Sequence, residues 1–385
     1  MQKLNSFTNT VKPRRAARWF SGSAVFCCLA ATAFAQQGEV AEAVDPAATF
    51  TIINVTGAGT AAGQGTLAES INTSGVIAGN YWDSNTVSHG YVRAANGTIT
   101  TFNASGAGTA AGQGTGGCYA INAAGDVAAN YIDANGAFRG LLRTSNGTLH
   151  AFNVTGAGTA SGQGTVPYGI NASITISGTY ADSSGVYHGF SRASNGTITT
   201  FNVAAAGTAP GQGTFAYAIN SSGTITGSYT DSTGTIHGFV RASSGTITTF
   251  DAPAVDGTYG YGINTAGTIV GNSWIAGQGA SGMVRAAEGA ITTFNAPGAG
   301  TGNNQGTVGW AINTSGVTSG WYIDANTAYH GWVRTAGGTL ATFNAPGAGT
   351  GANQGTNPFG INNSADIVGY YVDSSGVAHG FLRTP

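Results

Sequence analysis

The sequence predicts an all-β protein: a seven-bladed β-propeller of four-stranded antiparallel blades, closed by an N-terminal strand that completes the last blade. Three observations support this prediction. Segments rich in Thr, Ile, Val, Tyr and Phe alternate with short turns containing Gly, Ser, Asp and Asn, and no segment has helical periodicity. One unit recurs about every 49 residues. The final unit has three predicted strands, and a matching fourth-strand sequence stands near the start of the chain.

The unit is clearest between Ile219 and Asp251, where short apolar segments are separated by Ser-Ser-Gly and Asp-Ser-Thr-Gly turns. Strands of this length joined by Gly turns form an antiparallel meander. The second strand has no strongly polar face, so we expect both of its faces to be covered. The four predicted strands are Tyr217–Asn220, Thr224–Thr230, Thr235–Arg241 and Thr246–Phe250.

An Ile-Asn pair marks every repeat. The spacings between successive pairs are 50, 49, 49, 44, 49 and 49 residues. Four strands in a period of 40–50 residues are typical of a propeller. The Ile residues are Ile71, Ile121, Ile170, Ile219, Ile263, Ile312 and Ile361.

The two ends of the repeat array predict a closed ring. The last repeat reaches its third strand at His379–Arg383, and Thr49–Asn54 matches the fourth-strand sequence Thr-Ile-Thr-Thr-Phe-Asn of other repeats. Pairing these two segments would remove two exposed edges. The alternative, an open solenoid, would not require a split repeat.

The repeats resemble the HAF family of extracellular bacterial repeats. The resemblance rests on Gly360–Asn363, Asp366–Tyr371 and His379–Arg383, and it extends over about residues 50–385. It implies export and a propeller-like repeat, but it brings no established chemistry, so it assigns no catalytic residues. Its His-Gly-Phe motif is intact in repeats three, four and seven, and Arg139–Leu141 and Ser281–Met283 lose both of its named side chains.

Residues 1–35 are predicted to be a secretory signal peptide cleaved after Ala35. A basic region precedes an apolar run from Trp19 to Ala33, which is followed by the small-residue site Ala33–Ala35. The alternative is a retained anchor, but the run is shorter than the roughly 20 residues of a spanning helix. We therefore expect a secreted or extracellular protein, or a periplasmic or outer-surface one. Residues 36–48 are predicted to be a flexible leader before the propeller at 49–385.

The charge balance argues against nucleic acid as a partner. Five of the thirteen Lys and Arg residues precede the cleavage site, which leaves eight Arg, no Lys and all fifteen acidic residues, or a formal charge of about −7. We expect no membrane span in the mature chain. Its single cysteine, Cys118, excludes an intrachain disulfide.

One rim of the propeller is predicted to carry all the long connections, such as Ala206–Thr214, together with the Asp turns between second and third strands. Its amides and carboxylates suggest a surface that binds a glycan or a surface protein. The alternative is that each Gln only closes the crossing between blades, and we favour it for any single Gln. The candidate ligand-binding residues are Gln64, Gln113, Gln163, Gln212, Gln305, Gln354, Asp83, Asp133, Asp182, Asp231, Asp324 and Asp373.

Repeated His and Arg residues are predicted to be structural. Each His lies opposite a Tyr of the neighbouring strand, which favours an interstrand hydrogen bond over metal binding. Each Arg ends a third strand, where its stem can pack and its guanidinium can bond turn carbonyls; an anion-binding ring is the minority alternative. No cofactor is expected, with calcium at the Asp turns left as a minor alternative. These residues are His89, His188, His237, His330, His379, Arg93, Arg143, Arg192, Arg241, Arg285, Arg334 and Arg383.

The fifth repeat is irregular. Its leading connection, Ala252–Gly262, is five residues shorter than the others, and Ser273 and Ser281 replace the usual Tyr and His. Drift in a tolerant repeat explains this, although a gap for a ligand is the alternative.

The sequence as a whole favours a non-enzymatic binding module that uses the long-loop face. The alternatives are a polysaccharide-active propeller enzyme, which would need paired carboxylates near the channel, and a structural envelope protein.

Overall fold

The computed structural model describes residues 48–385, so the predicted signal peptide and all but the last residue of the predicted leader lie outside the described residues. The described part of the chain contains 28 β-strands and is all-β, as predicted. Among these residues no helix is long and apolar enough to cross a membrane.

The strands form four-stranded antiparallel units in which consecutive strands pair. Units 1 to 7 comprise residues 65–102, 114–152, 164–201, 213–250, 257–294, 306–343, and 355–384 with 49–53. The first strands are β2 (Gly65–Ile71), β6 (Gly114–Ile121), β10 (Gly164–Ile170), β14 (Gly213–Ile219), β18 (Gly257–Ile263), β22 (Gly306–Ile312) and β26 (Gly355–Ile361). The second strands are β3 (Ile77–Trp82), β7 (Val127–Ile132), β11 (Ile176–Ala181), β15 (Ile225–Thr230), β19 (Ile269–Trp274), β23 (Thr318–Ile323) and β27 (Ile367–Val372).

The third and fourth strands complete each unit. The third strands are β4 (Ser88–Arg93), β8 (Phe138–Arg143), β12 (Tyr187–Arg192), β16 (Ile236–Arg241), β20 (Ser281–Arg285), β24 (Tyr329–Arg334) and β28 (Ala378–Thr384). The fourth strands are β5 (Ile99–Phe102), β9 (Leu149–Phe152), β13 (Ile198–Phe201), β17 (Ile247–Phe250), β21 (Ile291–Phe294), β25 (Leu340–Phe343) and, from the other end of the chain, β1 (Thr49–Ile53).

The units close into a circle. Strand β1 pairs antiparallel with β28, from Thr49 opposite Thr384 to Ile53 opposite Gly380, as the sequence predicts. A parallel bridge also joins the start of each first strand to the third strand of the unit before it, and at the closure this bridge links Gly65 to Ala378. This closed arrangement of antiparallel units is a β-propeller architecture.

The predicted start of the first strand in unit 4 is wrong. The strand begins at Gly213, four residues before Tyr217, so the end of the predicted long connection belongs to the sheet. Gly213 has a φ of 122°, and a Cβ there would collide with the Tyr187 carbonyl. Thr214 is fully buried and its Oγ1 accepts a hydrogen bond from the Val203 N–H at 2.9 Å. The sequence Gly-Gln-Gly-Thr is typical of a loop. Its contacts with the preceding unit, which make it a strand, cannot be predicted from this segment alone.

The His-Gly-Phe motif is explained by packing within a unit. In unit 3, a Cβ on Gly189 would lie 2.5 Å from the ring of Phe201 on the fourth strand, so glycine makes room for that ring. The fully buried Phe190 packs over Gly178 of the second strand in the same way. The apolar core is divided into small clusters around the ring, and several of them combine side chains of two neighbouring units. Both faces of the second strand in unit 4 are buried, also as predicted.

The third-strand Arg residues connect neighbouring units. Each of six guanidinium groups lies 4.7–5.3 Å from the ring of a Phe in the preceding unit, a cation–π distance. Arg93 is the seventh equivalent, and Ile53 occupies the place of its Phe. Several of these Arg residues also donate to the next carbonyl, such as Arg285 to Ala286 at 3.2 Å. The pairs are Arg143–Phe102, Arg192–Phe152, Arg241–Phe201, Arg285–Phe250, Arg334–Phe294 and Arg383–Phe343.

Candidate binding site on the propeller axis

The six repeated Gln side chains lie on the long-loop rim, which consists of the crossings between units and the turns between second and third strands. Gln64 Oε1 accepts from the Ala61 N–H, and its Nε2 donates to the Ser84 carbonyl, both at 3.0 Å. Gln113, Gln163, Gln212, Gln305 and Gln354 make the equivalent pair of bonds. Both ends of each amide are thus engaged in fastening a crossing to a turn. Ligand binding by these residues stays a prediction.

The repeated Asp residues organise the turns of the same rim. Asp83 Oδ1 accepts from the N–H groups of Asn85 and Val87 at 2.8 and 2.9 Å, and its Oδ2 lies 3.3 Å from His89 Nε2. Partial burial acts to raise the pKa of Asp83, but the hydrogen bonds from Val87, His89 and Asn85 outweigh it and lower that pKa. The corresponding Oδ1 bonds recur at Asp133, Asp182, Asp231, Asp324 and Asp373.

Each repeated His lies between its turn Asp and the end of the fourth strand. His89 stacks on Tyr81, its partner in the strand register, with ring centroids 4.9 Å apart, and its Nδ1 lies 3.0 Å from Asn103 Oδ1. His188, His237, His330 and His379 repeat this stack on a Tyr, and His237 lies between two carboxylates, those of Asp231 and Asp251. In residues 48–385 there is no group of three His, Cys, Asp or Glu that could hold a metal ion.

A second set of repeated residues lines the axis, and sequence reasoning missed it. Every first strand contains a β-bulge just before its Ile-Asn pair, for example between Ala68 and Ser70. A bulge re-aims the side chain of the extra residue. The residues at the bulges face one central cavity: Glu69, Tyr119, Tyr168, Tyr217, Tyr261, Trp310 and Phe359. The signal was present in the sequence, because each of them stands two positions before the Ile of the Ile-Asn pair.

The six aromatic side chains form a continuous arc. Neighbouring ring centroids are 5.2 Å apart for Tyr119–Tyr168, 5.5 Å for Tyr168–Tyr217 and 5.2 Å for Tyr217–Tyr261. The arc continues through Trp310 to Phe359 at 4.7 and 5.3 Å. Glu69 occupies the remaining position in the ring of seven.

The cavity has a volume of about 230 Å³ and belongs to the rim opposite the long loops. First strands run from the long-loop rim to the Asn turns, and the cavity is lined by the last three residues of each. We name this the Asn rim, because Asn72 and its equivalents stand there. The volume is slightly below the range of about 300–1,000 Å³ that is typical of pockets for drug-sized ligands. It therefore suits one small, compact ligand group.

Glu69 is 7% exposed and provides the only carboxylate among the residues that line the cavity. Its Oε2 accepts a hydrogen bond from the Cys118 N–H at 2.6 Å, and the side-chain amide nitrogen of Asn80, turned toward the carboxylate, lies 3.1 Å from Oε1. Burial raises the pKa of Glu69 to about 8, although the bond from Cys118 acts to lower it. Cys118 lies in an enlarged bulge, since Gly116 and Ala120 pair with residues only two apart in β7.

The aromatic wall stays uncharged. Burial raises the pKa of Tyr119, Tyr168, Tyr217 and Tyr261 above the ordinary value of a phenol. The wall therefore offers neutral aromatic rings, with one titratable acid at one side. Clustered aromatic rings with a few polar groups are typical of small-molecule sites.

No known sequence family and no curated protein matches this chain. Among solved structures, selenomethionine-substituted virginiamycin B lyase from Staphylococcus aureus is similar, with 16% identity over 88% of this chain and 99% of that chain and a TM-score of 0.55. Two lectins are also similar in shape. The six-bladed propeller lectin of Aleuria aurantia has 13% identity over 72% of this chain and 93% of its own, with a TM-score of 0.43. The BP39L lectin from Burkholderia pseudomallei has 10% identity over 82% and 94%, with a TM-score of 0.46.

At these identities the similarity describes the fold alone. The closed strand pairing and the fold shared with the lyase, at a TM-score of 0.55, define the class: an all-β propeller, here with an aromatic cavity on its axis. What the cavity holds has to be argued from its own residues.

Proposed function

We propose that this chain is a non-enzymatic carbohydrate-binding propeller of seven blades, one for each four-stranded unit, and that it binds one sugar residue in the axial cavity. The observation that carries the proposal is the ring of six aromatic side chains closed by Glu69. Aromatic faces cover the apolar C–H faces of a sugar, while phenol and carboxyl groups bond its hydroxyls. The small volume favours a single terminal residue over a long chain.

The long-loop rim is the alternative location. Each of its Gln amides uses one donor and one acceptor to hold a crossing in place, so a ligand could use only the remaining donor and acceptor without disturbing the crossings. We therefore prefer the axial cavity to the long-loop face. Export, a bacterial cell-surface role and membership of the HAF repeats remain part of the proposal. They are supported by the signal-peptide pattern and the repeat motifs.

A polysaccharide-cleaving enzyme is the main functional alternative. Hydrolysis of a glycosidic bond generally uses two carboxyl groups about 5–9.5 Å apart. In the described part of the chain, Glu69 is the sole carboxylate in the cavity lining, which supports binding rather than hydrolysis. Release of reducing sugar from oligosaccharides by the purified protein would overturn this preference.

The test is a calorimetric and array-based glycan screen of the chain without residues 1–35. We expect Tyr261→Ala and Trp310→Ala to abolish binding of any glycan that the parent protein binds. The matched controls are Gln64→Ala and Gln113→Ala on the long-loop rim, which should bind normally. Unfolding curves identify variants that lose binding because they lose the fold. The opposite pattern, with loss in the Gln variants only, would move the site to the long-loop rim.

A further inference from the structure

We propose that the axial cavity selects a sugar that carries a positively charged amine, with the ammonium group held between the Glu69 carboxylate and the neighbouring aromatic faces. The inference deepens the proposed function and rests on it, because it names the chemical class of the sugar. It depends on three features of the cavity. These are an acid without a cationic partner, a wall of electron-rich aromatic rings, and the position of the basic residues outside the cavity.

The first feature is the isolation of Glu69. Its partners are the Cys118 N–H and the Asn80 amide, and no His or Arg in residues 48–385 forms an ion pair with it. A buried carboxylate without a cation is costly. In the empty protein Glu69 holds a proton near neutral pH, because burial raises its pKa to about 8. A cationic ligand would supply the missing charge and favour the ionised form.

The second feature is the wall beside Glu69. Tyr and Trp rings attract cations through their negative faces. Tyr119 and Phe359 come from the units on either side of Glu69, and Trp310 and Tyr261 continue the wall. An ammonium group next to Glu69 would meet both the carboxylate and an aromatic face. A neutral acetamido group in the same place would meet only the rings and a protonated acid.

The third feature is the absence of basic groups from the cavity lining within the described residues. The repeated Arg residues stack on the Phe residues of the fourth strands, at the outer side of the units. They therefore leave the axis without positive charge. Glu69 is the acid in this lining that can ionise below about pH 8, and a bound cation would stabilise its ionised form, whereas an anion would not.

The other titratable groups that face Glu69 do not change their protonation over the pH range of the experiment. They are Tyr91 of β4, Cys118 and Tyr119 of β6, and Tyr370 of β27. Burial raises the pKa of each above its ordinary value, so all four are neutral between pH 5 and 8. A change of protonation in the cavity over this range therefore reports Glu69.

The first experiment compares glucosamine, N-acetylglucosamine and glucose by calorimetry at pH 6.5. We expect glucosamine to bind at least tenfold more tightly than the other two.

Tetramethylammonium is the second probe, because it is permanently charged and carries no dissociable proton. Its binding at pH 6.5 should release close to one proton per site, measured from the dependence of the heat on buffer ionisation enthalpy. Its affinity should rise with pH up to about pH 8 and then level off.

Variants separate charge from shape. Glu69→Gln should reduce the affinity for glucosamine to that for N-acetylglucosamine and abolish proton release. Glu69→Tyr places the residue type of units 2 to 5 in unit 1 and should also abolish proton release. Because it is a second uncharged substitution, it shows whether an effect of Glu69→Gln comes from misfolding of that variant. Glu288→Gln removes an exposed carboxylate in a turn and serves as the control, with no change expected.

The outcomes distinguish the two proposals. Equal binding of glucosamine and N-acetylglucosamine without proton release would overturn the cation inference and leave sugar binding intact. Binding of tetramethylammonium without binding of any sugar would retain a cation site and overturn the carbohydrate function. Binding of none of the probes by the folded protein would overturn both.

Discussion

Thr86 has a backbone conformation that glycine usually occupies. Its φ is 58°, at the turn position where units 2, 3, 4 and 7 have glycine, such as Gly185 with a φ of 76°. A left-handed conformation costs an L-residue about 1–2 kcal/mol, while glycine in the unfolded chain gains about 0.5–1 kcal/mol of entropy. We therefore expect Thr86→Gly to raise the free energy of unfolding by about 0.5–1 kcal/mol in urea denaturation.

The control for this prediction is the reverse substitution in unit 3. A Cβ at Gly185 would have no neighbour closer than 3.7 Å, so Gly185→Thr introduces backbone strain without a collision. It should destabilise the protein by about the amount that Thr86→Gly stabilises it. If both variants unfold like the parent protein, the turn imposes no strain.

Glu69 makes stability depend on pH near neutrality. Its pKa in the folded protein, about 8, lies above the ordinary 4.5, so the folded state keeps a proton that the unfolded state loses between these values. The free energy of unfolding should therefore fall as pH rises from about 4.5 to 8, by at most about 1.4 kcal/mol per unit. The lowered pKa values of Asp83, Asp182 and Asp373 act in the opposite direction and only in acid, near and below pH 4.

The measurement is urea denaturation of the parent protein and Glu69→Gln at pH 5, 6.5 and 8. The variant should become more stable relative to the parent protein as pH rises, and the contributions of groups that the two proteins share cancel in that difference. A difference that does not change with pH would show that Glu69 ionises normally in the folded protein.

The strands were largely predictable from the sequence because each strand and turn pattern occurs several times along the chain. Turn chemistry, strand composition and the split last unit predicted the closing pair, β1 with β28, and the Tyr–His register. The first strand was placed too late, because Gly213 and Thr214 satisfy a contact with the preceding unit. The axial ring was missed because a bulge determines which side chain faces the axis, and simple alternation along a strand does not predict a bulge.

The role of the glycine in the His-Gly-Phe motif can be tested by comparing unit 3 with unit 7. A Cβ at Gly189 would lie 2.5 Å from the Phe201 ring, whereas a Cβ at Gly380 would lie 3.2 Å from its nearest neighbour, since Ile53 replaces the Phe. Overpacking in a core typically costs about 1–3 kcal/mol. We expect Gly189→Ala to cost about that much and Gly380→Ala less than about 1 kcal/mol.

Thermal and urea unfolding of the two variants measure this difference directly. The pair is matched because both glycines hold the same position in the same motif. Phe201→Ile in the Gly189→Ala background should recover part of the loss, because the smaller Ile, the residue type at this position in unit 7, leaves room for the added methyl group. Equal costs at the two glycines would mean that the motif has a role other than making room for the ring.

At the scale of the whole molecule, one ring of hydrogen bonds joins all the units at the Asn rim. The side-chain Nδ2 of each Ile-Asn asparagine donates to the backbone carbonyl of the equivalent asparagine in the next unit, at 3.0–3.4 Å. The seventh bond, from Asn362 to the Asn72 carbonyl, closes the circle across the junction of the two chain ends. The bonds run Asn72–Asn122–Asn171–Asn220–Asn264–Asn313–Asn362–Asn72. The same ring surrounds the cavity, so closure and the binding site depend on each other.

This ring predicts that the junction is as stable as any other interface between units. Asn264→Ala removes a bond between two units that are consecutive in the chain, and Asn362→Ala removes the bond across the junction. Both asparagines are buried and bond their own turns, so each substitution should cost about 1–3 kcal/mol. Asn96, which accepts one hydrogen bond in an exposed turn, provides the control, and Asn96→Ala should cost less than either.

Urea denaturation gives the three free energies, and amide exchange of residues 49–53 gives an independent view of the junction. In a closed ring, Asn362→Ala behaves like Asn264→Ala, and β1 is protected like the other fourth strands. In an array whose ends separate in solution, Asn362→Ala would lose only its turn bonds and not the bond to Asn72, and β1 would exchange fast. That result would also remove the enclosed wall on which the sugar and ammonium proposals depend, because Glu69 and Phe359 lie on opposite sides of this junction.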